Sequence, residues 1–310
     1  MDISVVIPLY NEEESLPELC TWIEKVMIEN NFVYEIIFVD DGSNDQSWKV
    51  IRRLREKNAS VKGIRFRRNY GKSAALNEGF QAARGKVIIS MDADLQDSPD
   101  EIPILYQMIR DKGFDLVSGY KKKRYDPISK TLPTRLFNWV TRSVSGIYLH
   151  DFNCGLKAYR QDVAKSIEIY GELHRYIPLL AKWAGFRKIG EKVVEHRARK
   201  YGASKFGLSR FINGFLDLIT VTVVNKYLKR PMHFFGIWGL LIGMLGFAIL
   251  AYLAIVKLLF MQQLTERMPA MFLGTILLLL GVQLFFTGLL SELITRNSPI
   301  KNKNNIAEKI

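Results

Sequence analysis

The sequence predicts an α/β domain on a mainly parallel sheet, followed by interfacial helices and a two-helix membrane hairpin. Three observations predict it. Short apolar runs alternate with longer helical segments in the first part of the chain. Two runs near the C-terminus, Phe234 to Val256 and Ala270 to Ser291, contain no charged residue. Each is long enough to cross roughly 30 Å of hydrocarbon as a helix. The 310 residues carry 44 Lys and Arg against 31 Asp and Glu, a net charge of +13. That balance suits anionic lipid or phosphate-bearing substrates.

Strands are expected near 3–8, 35–40, 61–66, 86–91 and 114–119, with helices near 14–30, 45–58, 72–84 and 99–112. The apolar strand runs are short and end in polar loops. Ser98 is the expected cap and Pro99 the first turn of the fourth helix. No GxGxxG follows any of these strands, which counts against a dinucleotide oxidoreductase. No nucleic-acid module is visible and the basic residues are scattered or lie near apolar segments, so no nucleic-acid partner is expected. Cys20 and Cys154 lie far apart, as in a reduced cytosolic domain, and offer no metal-site spacing. The chain opens on a strand with no basic leader, so no signal peptide is expected.

The hairpin spans are expected at about 234–259 and 270–294. Lys226, Lys229 and Arg230 precede the first; Arg296, Lys301 and Lys303 follow the second. The positive-inside rule puts both ends in the cytoplasm. Lys257 can snorkel to the far interface. Gly239 and Gly243 make a small-xxx-small pair, and Gly274, Gly281 and Gly288 recur every seven residues. Such stripes allow close helix packing in lipid. They serve either the hairpin's own contact or a homo-oligomer. Residues 134–149 and 206–228 mix apolar side chains with a few cations, as in helices lying in the interface plane. Ordinary core helices are the alternative, and for 134–149 the two stand level. The tail from Asn297 is polar and expected to be loosely ordered.

The chemistry centres on residues 85–101, GKVIISMDADLQDSPDE. Asp92 and Asp94 follow a buried strand directly, so they project into the crevice at its carboxyl end, where open α/β sheets bind ligands. Hard oxygen ligands with few protein contacts suit Mg²⁺ or Mn²⁺ shared with a diphosphate. Taken alone, the pair fits a solvated acidic turn equally well. The strands ISVVIPLYNE (3–12) and EIIFVDDGS (35–43) also run into acidic loops, so three carboxyl ends converge. In RNYGKSAALNEG (68–79), Lys72 enters a helix, a plausible anion site.

This set, in this order, resembles the family 2 glycosyltransferases of the GT-A fold over residues 3 to about 207. The resemblance implies a nucleotide-sugar donor, a divalent metal and an inverting transfer. Two later segments, DFNCGLKAYR (151–160) and ARKYGASKFG (198–207), narrow it together with the hairpin. Arg199, Gly202, Ser204 and Lys205 match RxxGxSK, as in the polyprenyl-phosphate glycosyltransferases. By that resemblance Pro8, Tyr10, Glu12, Asp41, Lys72 and Asp92 serve the UDP- or GDP-linked donor. Asp92, Asp94 and Gln96 serve the metal, and Arg199 and Lys205 the donor diphosphate. Asp92, Asp94, Arg199 and Lys205 are the catalytic set. Lys121 and Arg135 meet the phosphate of a polyprenyl phosphate at the bacterial plasma membrane. Lys121 departs from the arginine of many relatives, which weakens bidentate phosphate contact. NCGLK stands where many have a Ser-Gly-Phe-Arg type sequence, which leaves the role of Lys157 open. The implied layout is a GT-A domain over 1–204, an interfacial region over 205–232, the hairpin over 233–295 and a cytosolic tail over 296–310. Two rival readings are a polysaccharide synthase with a saccharide acceptor and a catalytically silent nucleotide-sugar scaffold. No QxxRW motif is present, which speaks against the first. The intact acidic motif, Lys72 and RxxGxSK speak against the second.

Overall fold

A computed structural model of the chain describes residues 1–122, 138, 141–143, 145–197, 200–201, 231–260 and 265–297. The described residues form two compact units, one up to residue 201 and one from residue 231.

The first unit is a seven-stranded sheet flanked by helices. Its elements run β1 (Ile3–Leu9), α1 (Leu16–Glu29), β2 (Tyr34–Asp40), α2 (Ser47–Lys57), β3 (Val61–Arg65), α3 (Lys72–Ala82), β4 (Val87–Ser90), α4 (Ile102–Arg110) and β5 (Leu116–Tyr120). β6 (Lys157–Arg160), α5 (Gln161–Ser166), α6 (Ile177–Trp183) and β7 (Ile189–Val193) follow. The order across the sheet is β3-β2-β1-β4-β6-β5-β7. β1, β2, β3 and β4 are mutually parallel. β6 runs antiparallel between β4 and β5, and β7 is parallel to β5. The five expected strands are all present. β6 and β7 are additions, and they make the sheet mixed.

Burial follows position. Every residue of the inner strand β1 is buried, because helices cover both faces, whereas in the edge strand β3 only Val61 is buried and Gly63 and Arg65 are exposed. The core joins Ile3, Val5 and Ile7 of β1 to Leu19, Ile23 and Met27 of α1 and to Leu105 of α4. The winding reverses between β1 and β4, so the crevice opens at their carboxyl ends.

Within the 134–149 segment, Asn138, Thr141 and Ser145 are helical and buried, and Asn138 Nδ2 donates to the His150 carbonyl at 2.8 Å. These polar side chains sit inside the protein, while Tyr148 is exposed. Apart from Pro231 and Met232, the interfacial region expected over 205–232 lies outside the described residues, and so does the polar tail from 298 onward.

The second unit is a helical hairpin of α7 (Ile237–Phe260) and α8 (Met268–Asn297), with a π-helical turn at Met232–Gly236 ahead of α7. Met232–Leu259 and Met268–Ile294 are long and apolar enough to cross a membrane. Large apolar side chains such as Trp238, Leu245, Phe247, Phe272 and Leu279 face outward. The glycines face inward. A Cβ on Gly239 would lie 2.7 Å from the Gly281 carbonyl oxygen, and one on Gly246 would lie 2.7 Å from that of Gly274. One on Gly288 would come within 3.3 Å of the Gly236 amide nitrogen. The glycine stripes thus serve the hairpin's own contact, and a second copy would have to dock elsewhere.

Candidate active site

Three parallel strands deliver the site. Pro8 is the buried penultimate residue of β1, and Tyr10 and Glu12 lie on the loop beyond it. Asp41 follows β2. Its carboxylate accepts the backbone N–H groups of Tyr70 at 2.7 Å and Gly71 at 2.9 Å. Asp41 therefore ties down the loop that launches Lys72 into α3. Burial, the largest influence, raises its pKa against these two hydrogen bonds. Gly42 makes the arrangement possible: its φ is +71°, and a Cβ there would lie 2.5 Å from the Arg68 backbone. Asn11 and Leu95 also have positive φ, at 55° and 61°. Both lie on loops at these strand ends, where conformational strain commonly marks function.

Asp92 and Asp94 follow β4 as expected. The Lys72 ammonium pairs with Asp92 Oδ1. Burial disfavours the Asp92 charge, but Lys72, aided by Lys121, outweighs it and holds the carboxyl at about 2. Asp94 Oδ1 accepts the Gln96 amide at 3.2 Å. No cluster of three His, Cys, Asp or Glu among the described residues forms a ready metal cage. The oxygen donors nonetheless fit Mg²⁺ or Mn²⁺, which keep water and substrate oxygens in most of their shell. Asp92 is 32% exposed and already holds one cation, the Lys72 ammonium.

The antiparallel insertion of β6 supplies the rest. Ser90 pairs with Lys157 in register, so the segment before β6 lands beside the acidic loop. A Cβ on Gly155 would lie 2.6 Å from the Asp92 carboxyl carbon, and Ser90 Oγ donates to the Gly155 carbonyl at 2.9 Å. Only glycine lets this loop back the carboxylate so closely. Lys157 is buried, and its ammonium donates to the Cys154 carbonyl. Burial lowers its pKa, against the opposing pull of Cys154, Asp151 and Asp92. Lys121, expected at the acceptor phosphate, is ion-paired with the fully buried Asp97 at 2.8 Å. Burial alone would lower its pKa, and Asp97 turns the shift upward. Its charge is therefore already met, and a phosphate would have to share it.

Arg197 N–H donates to the Gln96 carbonyl at 2.9 Å, and Asp97 bridges His196 in antiparallel fashion. The chain leading to RxxGxSK thus runs beside the acidic loop. Arg199, Lys205 and Arg135 themselves lie outside the described residues. Sequence reasoning missed Ser73, Asp97, Gly155 and His174. Gly155 and Asp97 stood within quoted motifs, but their contacts are long-range. His174 is a lone histidine in a segment without periodicity.

Residues 4–167 match the family model described as Glycosyl transferase family 2. The chain is 36% identical over 299 residues to the dodecaprenyl-phosphate galacturonate synthase of Rhizobium johnstonii, covering 96% of this chain and 88% of that protein. It is 34% identical over 296 residues to the undecaprenyl-phosphate 4-deoxy-4-formamido-L-arabinose transferase of Pseudomonas aeruginosa, covering 95% and 85%. In fold it is similar to glucosyl-3-phosphoglycerate synthase from Mycobacterium tuberculosis, solved with Mn²⁺ and UDP-glucose. That match has a TM-score of 0.56 at 20% identity and covers 72% of this chain and 78% of the other. Relatives are alike along nearly the whole chain, and the family match spans more than half of it, so this chain belongs to glycosyl transferase family 2.

Proposed function

We propose that the enzyme transfers one sugar from a UDP- or GDP-linked donor to the phosphate of a polyprenyl phosphate, inverting the anomeric carbon, at the cytoplasmic face of the bacterial plasma membrane. One observation carries this reading. The relatives named for transfer to dodecaprenyl and undecaprenyl phosphate match along 95–96% of the chain, hairpin included. The basic flanks of the hairpin support a cytoplasmic site.

A lipid phosphate is ionised at neutral pH and needs little help from a general base; a sugar hydroxyl would need one. The protein's task is to bring two anions together and to offset charge on the leaving nucleoside diphosphate. Asp92, Asp94 and Gln96 would hold Mg²⁺ or Mn²⁺, which when bound neutralises charge on the diphosphate. A metal and UDP-glucose in the GT-A neighbour support this cofactor class. Lys72, paired with Asp92, would offer its ammonium to the donor phosphates. Pro8, Tyr10, Glu12 and Asp41 form the nucleoside end, with Asp41 acting through the loop it anchors. By the resemblance, Arg199 and Lys205 would meet the diphosphate, and Lys121 and Arg135 the acceptor phosphate, for in-line attack. Incubating purified enzyme with a panel of nucleotide sugars and undecaprenyl phosphate, and weighing the lipid product, tests this. A lipid-linked monosaccharide is expected. Transfer to a free saccharide with none to lipid phosphate would overturn it.

A further inference from the structure

We propose that His174 binds substrate through a neutral imidazole, presenting Nε2–H to a phosphate oxygen, with its tautomer set by Ser73. The inference rests on the proposed transfer between phosphate-bearing substrates and adds a residue outside the roles above.

His174 lies in the turn Leu173–Tyr176 ahead of α6, and Ser73 in the first turn of α3. Two contacts join them. The His174 backbone N–H donates to Ser73 Oγ at 3.1 Å, and the same Oγ lies 3.0 Å from His174 Nδ1. Ser73 is fully buried and has no other acceptor among the described residues. Its hydroxyl proton therefore goes to Nδ1, which accepts. The ring proton then sits on Nε2. Burial, followed by Lys72, Arg175 and Lys157, disfavours the imidazolium, with Asp92 acting the other way. The ring is half-buried, and Nε2 has no hydrogen-bond partner among the described residues.

The surroundings define the ligand. Lys72 is answered by Asp92, and Arg175 by Glu172 at 3.5 Å. Lys157 is 3% exposed, meets the Cys154 carbonyl and makes no ion pair among the described residues. A neutral N–H donor beside a buried cation without an ion-pair partner suits an anionic oxygen. Two substrates bring such an oxygen: the donor diphosphate and the lipid phosphate.

The test uses the full chain in detergent, labelled with ¹⁵N-histidine. The sequence holds four histidines, and the His174→Asn variant assigns the signal. One imidazole with bare Nδ1 and protonated Nε2 is expected, unchanged between about pH 5 and 8. Ser73→Ala should release that tautomer. UDP, GDP and undecaprenyl phosphate are then titrated separately, and whichever shifts the Nε2–H resonance identifies the source of the oxygen. In turnover, His174→Ala should lower kcat/KM for that substrate about 10- to 100-fold, the usual worth of a hydrogen bond to a charged group. His174→Gln, which restores a donor, should recover part of the loss. A proton found on Nδ1, or an Nε2 resonance that none of the three ligands moves, would overturn the proposal. So would wild-type kcat and KM for both substrates in His174→Ala. The spectra need no turnover, so a failed transfer assay would sink the function while the resonances still decide the residue.

Discussion

Asp94 has the sharpest expected effect of any single residue. Asp94→Ala should abolish turnover and leave the fold intact, since the side chain sits on a loop beyond β4 and outside the buried core. In the proposed role as a metal ligand, its loss should cost several kcal/mol of transition-state stabilisation. Turnover within a few-fold of wild type, with Mg²⁺ or Mn²⁺ supplied, would refute the role. Gly155→Ala tests the backing of Asp92. The added methyl group meets a carboxylate 2.6 Å away, so kcat should fall at least tenfold while the melting temperature changes little. An unchanged kcat would show that Asp92 relaxes freely. Arg199→Ala and Lys205→Ala should weaken use of the donor much more than folding. The competing idea is that both cations bind only lipid headgroups, at about 1 kcal/mol each. A detergent assay without anionic lipid separates the two: wild-type kcat and donor KM there would move both residues out of the site. In the sequence, Asp92, Asp94 and Lys72 were legible because each follows an apolar strand or opens a helix. The Lys121–Asp97 pair was not, because a buried ion pair across two strand ends leaves no local pattern.

Among the elements, β6 decides most about the site. It is four residues long and begins with a lysine, so neither periodicity nor propensity marks it as a strand. Its antiparallel entry between β4 and β5 brings Gly155 and Lys157 to Asp92. β7 escaped notice for a related reason: as an edge strand its residues are only partly buried, and no apolar run betrays it. The hairpin is the opposite case, since its apolar length and glycine stripes were plain. The sequence left open what the glycines face, and the helices answer that they face each other. Gly281→Leu should therefore separate α7 from α8 and lower the detergent melting temperature by several degrees. Leu279→Ala, on an outward position, should do little. Equal effects would mean that the glycine contact does not hold the hairpin.

For the whole molecule the outstanding expectation is topology. By the positive-inside rule, the basic flanks at Lys226–Arg230 and Arg296–Lys303 are expected to put both hairpin ends in the cytoplasm. A cysteine at Thr265 should then react with an impermeant reagent in intact cells, while one at Asn304 should not. The native Cys20 and Cys154 are buried and give little background. The reverse pattern would put the catalytic unit on the wrong side for cytosolic nucleotide sugars. By itself the sequence determined the α/β class, the first five strands and four helices, the hairpin and the acidic loop, because these rest on local composition and period. Tertiary structure alone decided which distant residues meet: Gly155 with Asp92, Lys121 with Asp97, Ser73 with His174, and glycine with glycine in the hairpin. Such contacts depend on strand order and helix packing, which join residues far apart in the chain, and no local window of sequence contains both partners.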